Sequence, residues 1–275
     1  MTDQFKLVIG LHWAAVLFYV AATCFFLYGT FFAKERAVRR GTVASLPGLL
    51  LHGTALLIWW RIVGHGPYMD RFEVLSSNSW VLLATFLVFT RFYPRLKPAG
   101  VIVFPAAFLM VALGIFMRPE IRRATPIFRG IWLALHILFY KIALASIIIA
   151  MAFSIFYLMK NRNRLQEATW LPELPVIDLY AYRFAGFGFT FWAIGMIAGS
   201  IWAYQSWNSF WSWDPVQTWS LVTWIIFGLY LHLRRFFSWS GDRAAWLYVV
   251  CFSLAIVSLF ITPFMKSSIH SVYFK

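Results

Sequence analysis

Eight stretches of this chain each approach the ~20 mostly apolar residues that a helix needs to cross a bilayer. That feature limits the fold more than any other. The stretches are residues 7–33, 42–60, 74–90, 98–117, 130–159, 184–204, 215–233 and 244–265. The third is short and is expected to extend at either end. The fifth holds one charge, Lys141. None shows the alternation of a membrane β-strand, and helices are the other way to satisfy backbone groups in lipid. The expected fold is all-α: a polytopic membrane bundle of about eight transmembrane helices, one integral-membrane domain over residues 1–275. Composition agrees. Hydrophobic residues make up 61% of the chain and charged ones 12%, and the mean hydropathy is +0.72. A soluble domain of this size could not cover so much apolar surface. The first stretch is too long for a signal peptide and lacks a small-residue cleavage pattern, so it is expected to stay as a spanning helix.

The net charge of +14 is read by position, not as a nucleic-acid signature, and no nucleic-acid partner is expected. Lys34, Arg36, Arg39 and Arg40 fall in the first loop, and Arg91, Arg95 and Lys97 in the third. Lys160, Arg162, Arg164 and Arg183 fall in the fifth, and Arg234, Arg235 and Arg243 in the seventh. Basic loops stay cytoplasmic, which puts both termini on the outer (periplasmic) side. The fourth loop breaks the alternation with Arg118, Arg122, Arg123 and Arg129. Either the topology tolerates one exception, or these arginines serve an anionic ligand outside. Haem propionates would fit, since guanidinium groups pair with carboxylates through two hydrogen bonds. Residues 160–183, polar and holding Pro172 and Pro175, form the one extended linker. Cys24 and Cys251 lie apart inside apolar runs and read as small buried hydrophobes.

Residues 202–224 hold six of the fifteen tryptophans, and Asp214 is their only charge. Indoles with little charge suit a membrane face, where an apolar body carries one N–H toward water or a headgroup. A flat aromatic shelf there could also hold a flat, redox-active ligand. Asp214, Pro215 and Gln217 read as an N-cap, a first-turn proline and a capping-box partner. That helix-starting role is favoured over direct catalysis.

Histidine inside a membrane span is a functional hypothesis by default. In the topology above, His136 and His270 both lie at the outer face, one before the tryptophan segment and one after it. They are either ordinary interfacial hydrogen-bonding residues or the two axial donors of a haem iron. His232 lies at the cytoplasmic end of the seventh run. It suits either the helix dipole or a ligand on the side where haem enters. His52 lies mid-span and needs a partner if neutral; it is a further candidate ligand. His12 and His65 read as interfacial. Lys141, about 140° round the helix from His136, either snorkels outward or neutralises a ligand carboxylate, and snorkelling is favoured.

The segment from Trp207 to Trp219, reading Trp-Asn-Ser-Phe-Trp-Ser-Trp-Asp-Pro-Val-Gln-Thr-Trp, resembles the tryptophan-rich WWD signature of haem-handling proteins in cytochrome c maturation. Its Trp-Asp-Pro-x-x-Thr-Trp core is similar to the CcsA (ResC) branch. Gly-His-Gly-Pro-Tyr-Met-Asp-Arg-Phe-Glu-Val-Leu at 64–75, Trp80, Leu-Tyr-Leu-His at 229–232 and Ser-Ile-His-Ser at 268–271 resemble that branch too. Three positions depart from it. Gln217 stands where the family usually has Glu, Asn208 where it usually has Gly, and the tail reads His-Ser-Val-Tyr where His-Ser-Tyr is usual.

The resemblance implies a subunit of a holocytochrome-c synthase (haem lyase) in a bacterial plasma membrane, a thylakoid being the second choice. Haem b is carried out and presented to the CxxCH thiols of apocytochrome c. His136 and His270 are implied as external axial ligands and His232 as the intramembrane ligand. The haem edge would rest on Trp207, Trp211, Trp213 and Trp219 beside Asp214, with propionates on Arg122 and Arg123. A separate CcsB (ResB)-type subunit is the implied partner, with a thiol-reducing protein as a further one. A CcmC-like carrier that hands haem to a chaperone without forming thioethers is the alternative. A channel with only an aromatic belt is the third reading.

Overall fold

A computed structural model describes residues 2–117, 121, 128, 130–162, 168, 170–265 and 268. Among them there is no strand, and eight helices are long and apolar enough to cross a membrane. They are α1 Thr2–Phe31, α2 Glu35–Val63, α3 Arg71–Phe92, α4 Gly100–Phe116, α5 Ile131–Asn161, α6 Leu174–Trp207, α7 Pro215–Phe236 and α8 Gly241–Phe260; α4 reaches spanning length together with the 3-10 turn Pro94–Ala99 that leads into it. The third stretch extends at both ends, as its length required.

Three boundaries differ from expectation. α2 begins at Glu35, well before the apolar run, so Arg36, Arg39 and Arg40 lie in its first turns. Arginine is a good helix former, and charge does not end a helix. α6 begins at Leu174 with Pro175 in its first turn, a position where the missing N–H costs nothing. Arg183 is therefore helical, and the linker is shorter than 160–183. α8 stops at Phe260 and a short 3-10 turn, Thr262–Phe264, follows; Pro263 there cannot donate to a continuing helix.

The chain divides into two compact units, one holding α1 to α4 and the other α5 to α8. In the first, α1 lies between α2 and α4, and α3 between α4 and α2; in the second, α5 lies between α6 and α8, and α7 between α8 and α6. Each is thus an up-down-up-down ring of four helices. Phe26, Phe86 and Phe104 fill the first ring, with Phe26 and Phe104 ring centres 4.5 Å apart. Trp192, Phe227 and Tyr248 fill the second.

One end of the second ring is tied by charge. Arg234 of α7 forms a bidentate pair with Asp178 of α6, with Nη2 to Oδ2 at 2.7 Å. Asp178 also accepts the Gly241 N–H that starts α8, and the guanidinium lies over the Tyr182 ring. Cys251 is buried as expected, but Cys24 is exposed on the outside of its helix. A thiol is apolar enough to face lipid as readily as core.

Candidate functional site

The opposite end of the second ring brings together the start of α5, the end of α6 and the start of α7. α6 ends with Asn208 in the left-handed region at φ 56°, its N–H bonded to the Tyr204 carbonyl. Asparagine is the residue after glycine best able to adopt that conformation at a helix C-terminus, so Asn208 can end α6 without a glycine. The connection to α7 is then pinned from both sides. Ser200 Oγ donates to the Phe210 carbonyl at 2.8 Å, and Tyr204 stacks on Phe210 at 4.3 Å with 7° between the planes. Thr218 Oγ1 donates to the Trp213 carbonyl.

Asp214 is the N-cap of α7. Its Oδ1 accepts the Val216 N–H at 2.9 Å and the Ser268 hydroxyl at 3.0 Å. The cap therefore also holds Ser268, beyond the end of α8, against the start of α7. Gln217 does not complete a capping box on Asp214. Its Oε1 takes the Ser212 N–H at 2.9 Å and the Ser212 hydroxyl at 3.2 Å. That task needs only an acceptor, which a glutamate would also supply.

The tryptophans do not form a flat shelf. Trp202 and Trp207 meet edge to face with ring centres 4.9 Å apart, and Trp211 and Trp213 do so at 5.8 Å. Trp202 is buried, whereas Trp213 is 69% exposed and holds a positive φ of 57°. A left-handed backbone at a bulky residue is strained by about 1–2 kcal/mol. The indole N–H groups of Trp207 and Trp211 are buried and lack a hydrogen-bond partner among the described residues. Two unanswered donors suit an acceptor of anionic oxygen, and a haem carboxylate is one. Trp219 lies in the first turns of α7.

His136 lies in the first turns of α5. Its Nδ1 is 2.8 Å from the Gly195 carbonyl on α6. A carbonyl only accepts, so Nδ1 carries the hydrogen and Nε2 is the basic nitrogen. Trp202 lies nearly parallel to the imidazole, 21° between planes, and Tyr140 packs edge-on at 4.9 Å. Below, Ser220 of α7 accepts the Trp192 N–H at 2.9 Å and shares a hydrogen with the Tyr140 hydroxyl. Lys141 is buried at 8% exposure, so the snorkelling expectation is not met. His232, at the other end, is exposed on the face of α7 that carries Val222, Ile225, Leu229 and Phe236. His270, Arg118, Arg122, Arg123 and Arg129 lie outside the described residues.

The first ring holds a second polar cluster that sequence reading only half identified. His12 and His65, expected at the interface, are buried, and so is His52. His12 Nδ1 bonds the Val8 carbonyl at 2.8 Å, and its Nε2 is 2.9 Å from Ser76 Oγ. His52 Nε2 is 2.8 Å from the same Ser76 Oγ, and its Nδ1 faces the Tyr19 hydroxyl at 3.2 Å. With both rings neutral, one arrangement satisfies every atom. Tyr19 donates to His52, His52 to Ser76, Ser76 to His12, and His12 to the Val8 carbonyl. Both nitrogens of His52 are thereby taken.

Glu73, one turn from Ser76 on α3, accepts the Trp59 N–H at 2.7 Å and the N–H groups of Tyr68 and Met69 at 3.0 and 2.6 Å. The 64–75 motif is thus a loop folded onto one buried carboxylate. Its Asp70 caps α3 by accepting the Glu73 N–H at 2.7 Å. No signal of helical period could reveal this, because the partners come from three elements.

A family model described as cytochrome C assembly protein matches residues 11–270 of the chain. Proteins named cytochrome c biogenesis protein CcsA are similar along most of it. The one from Chlamydomonas reinhardtii is 32% identical, over 69% of this chain and 56% of its own length. The one from Trieres chinensis is 26% identical, over 91% and 92%, and that from Prochlorococcus marinus (strain MIT 9301) 27%, over 88% and 87%. The match thus spans little more than half of the Chlamydomonas protein and nearly all of the Trieres one. Among solved structures, the cytochrome c haem lyase CcmF shares the fold with a TM-score of 0.64 and 18% identity, over 93% of this chain and 46% of its own.

Proposed function

The chain belongs to the cytochrome c assembly protein family, as a CcsA-type member, and from that premise we propose that it is the haem export and presentation subunit of a cytochrome c synthase. Haem b is the substrate in this reading. The observation that carries it is the end of the second ring where His136, with Nδ1 held by a carbonyl, packs on Trp202, and where the Trp207 and Trp211 N–H groups have no partner among the described residues. Basic Nε2 is a donor for iron, and the indole hydrogens of Trp207 and Trp211 suit propionate oxygens. His270 is the proposed second axial donor; Ser268, two positions before it in the sequence, bonds the α7 cap at this end, which supports that reading. Arg122 and Arg123 are proposed to meet the propionates.

His232 is the proposed intramembrane ligand. An exposed imidazole packed only on Phe236 and Phe237, on a face of α7 with Ile225 and Leu229, is costly against lipid and supports a second donor from another chain, proposed as a CcsB-type subunit. His52 falls outside the proposed ligand set, since binding iron would break a closed network. The basic loops support an orientation with the tryptophan end outward; the proposed membrane is a bacterial plasma membrane, with a thylakoid as the second choice. A thiol-reducing protein is the proposed supplier of reduced apocytochrome.

The protein's contribution is placement. Each CxxCH thiol adds across a vinyl group: a carbon–sulfur bond forms, the thiol hydrogen passes to the neighbouring vinyl carbon, and no electron leaves the pair. Holding both partners in register is what accelerates such a step. The test is co-expression with a companion subunit and a CxxCH reporter. Covalent haem on the reporter, lost when His136 or His270 is changed to Ala, is the expected outcome. Haem on the membrane subunit with none on the reporter would mean a carrier that hands haem on. A colourless protein would mean neither.

A further inference from the structure

α6 meets α5 through a step of two small residues, Gly195-Met-Ile-Ala-Gly199. Gly195 has no side chain where Tyr140 packs; a Cβ there would lie 2.7 Å from Tyr140 Cδ2. Gly199, one turn on, has none where the His136 imidazole lies, and a Cβ there would overlap His136 Nδ1. A ring is stiff, so it cannot bend away as a flexible side-chain end would. The carbonyl that His136 bonds belongs to Gly195 itself. A helical carbonyl has two lone pairs, and the helix uses one. The second reaches the imidazole only because the two helices come this close. Tyr140 edge-on and Trp202 nearly parallel then close the ring in from its other sides. Tyr140 is itself fixed through Ser220 and Trp192.

We infer that the Gly195–Gly199 step is a positioning device for His136: it fixes the imidazole in its Nδ1–H form, sets its plane, and makes Nε2 the nitrogen offered to a metal. The inference rests on the reading of His136 as an iron ligand, and goes beyond it by assigning two residues that touch neither iron nor substrate. The physical effect is twofold. A carbonyl on Nδ1–H raises the donor strength of Nε2, and loss of such a partner commonly weakens metal binding by about 10- to 100-fold. A fixed plane also removes the cost of ordering the ring when the ligand arrives.

Two measurements test this, and the first needs neither haem nor a variant of the step. In haem-free full-length protein with 15N-labelled histidine, the resonance lost in His136→Ala identifies this ring. Its nitrogen shifts are expected to report the Nδ1–H form; an Nε2–H form overturns the inference. Second, in the haem-loaded complex, Gly199→Ala is expected to weaken haem retention by about 10- to 100-fold and to perturb the low-spin spectrum. Added imidazole should restore that spectrum. Gly186→Ala on the same helix, where a Cβ would meet nothing within 4 Å, is the control and should leave both unchanged. If His136→Ala leaves the haem spectrum intact, the ligand reading fails, while the labelled spectrum still judges the tautomer. If His136→Ala abolishes the signal and a folded Gly199→Ala does not disturb it, the ligand reading stands and the positioning role is overturned. Should Gly199→Ala not fold, the labelled wild-type spectrum decides alone.

Discussion

Two regions of this molecule gather polar groups inside apolar surroundings, and they treat them in opposite ways. In the first ring, Tyr19, His52, Ser76 and His12 satisfy one another to the last hydrogen, ending on a backbone carbonyl. Glu73 nearby is likewise fully engaged by an indole and two backbone donors. At the tryptophan end of the second ring, two buried indole hydrogens go unanswered among the described residues, and one tryptophan holds a strained backbone. A buried donor left without a partner costs about 1–3 kcal/mol, and the strain adds a further ~1–2 kcal/mol. The lesson is that an intramembrane histidine is not a site merely by being there. The first region is complete without a ligand. In the second, the two indole hydrogens carry a cost that a ligand of suitable oxygens would remove.

The contrast can be broken most directly at the histidines. His136→Ala is expected to remove the low-spin haem signal of the tryptophan end, whereas His52→Ala should keep the spectrum. His52→Ala should instead lose about 1–3 kcal/mol of stability, because Tyr19 and Ser76 each lose a partner; visible spectra and thermal unfolding in detergent read the two effects. A His52 variant that keeps its melting temperature but loses haem would invert the comparison.

A sharper version uses the indoles. Trp211→Phe deletes an unsatisfied donor while keeping most of the ring. The haem-free protein should be no less stable, or more stable by about 1 kcal/mol. Haem retention should fall roughly tenfold, the worth of one hydrogen bond to a charged acceptor. Unfolding curves and haem-transfer rates, each with and without haem, separate these.

Trp213→Gly should also split the two quantities, by less. Glycine accepts the positive φ without strain, so the variant should gain about 1 kcal/mol in thermal unfolding while haem dissociates faster. The smallest effect is expected at the cap. Gln217→Glu keeps the acceptor that Ser212 uses, so stability should change by no more than about 0.5 kcal/mol. A large loss would show that the amide hydrogens of Gln217 matter.

The spans were legible because the requirement is one-dimensional: enough apolar residues in a row. The start of α2 was not, because Arg36 and Arg40 belong to a helix whose first turns stand clear of the apolar run. The burial of His12 and His65 was hidden for another reason. Whether a helix face is interior depends on which helices surround it, and the ring order of α1 to α4 is not written in any one segment. At the candidate site, the tryptophans and Asp214 stood out by composition. Gly195 and Gly199 did not, since small residues are frequent in membrane helices and their importance lies in what α5 puts opposite them. Asn208 was visible only as a departure, until its left-handed backbone gave the reason.

The one-way chain from Tyr19 to Val8 bears on motion. Three helices contribute to it, and each contact depends on rotational register. Turning any of the three by a single residue swings its side chains through roughly 100° and parts at least one link in a medium that offers no water as a substitute. Tyr19, His52, Ser76 and His12 therefore work as a keyed lock on α1, α2 and α3, so sliding or screwing among those three helices is the least available movement in the first ring.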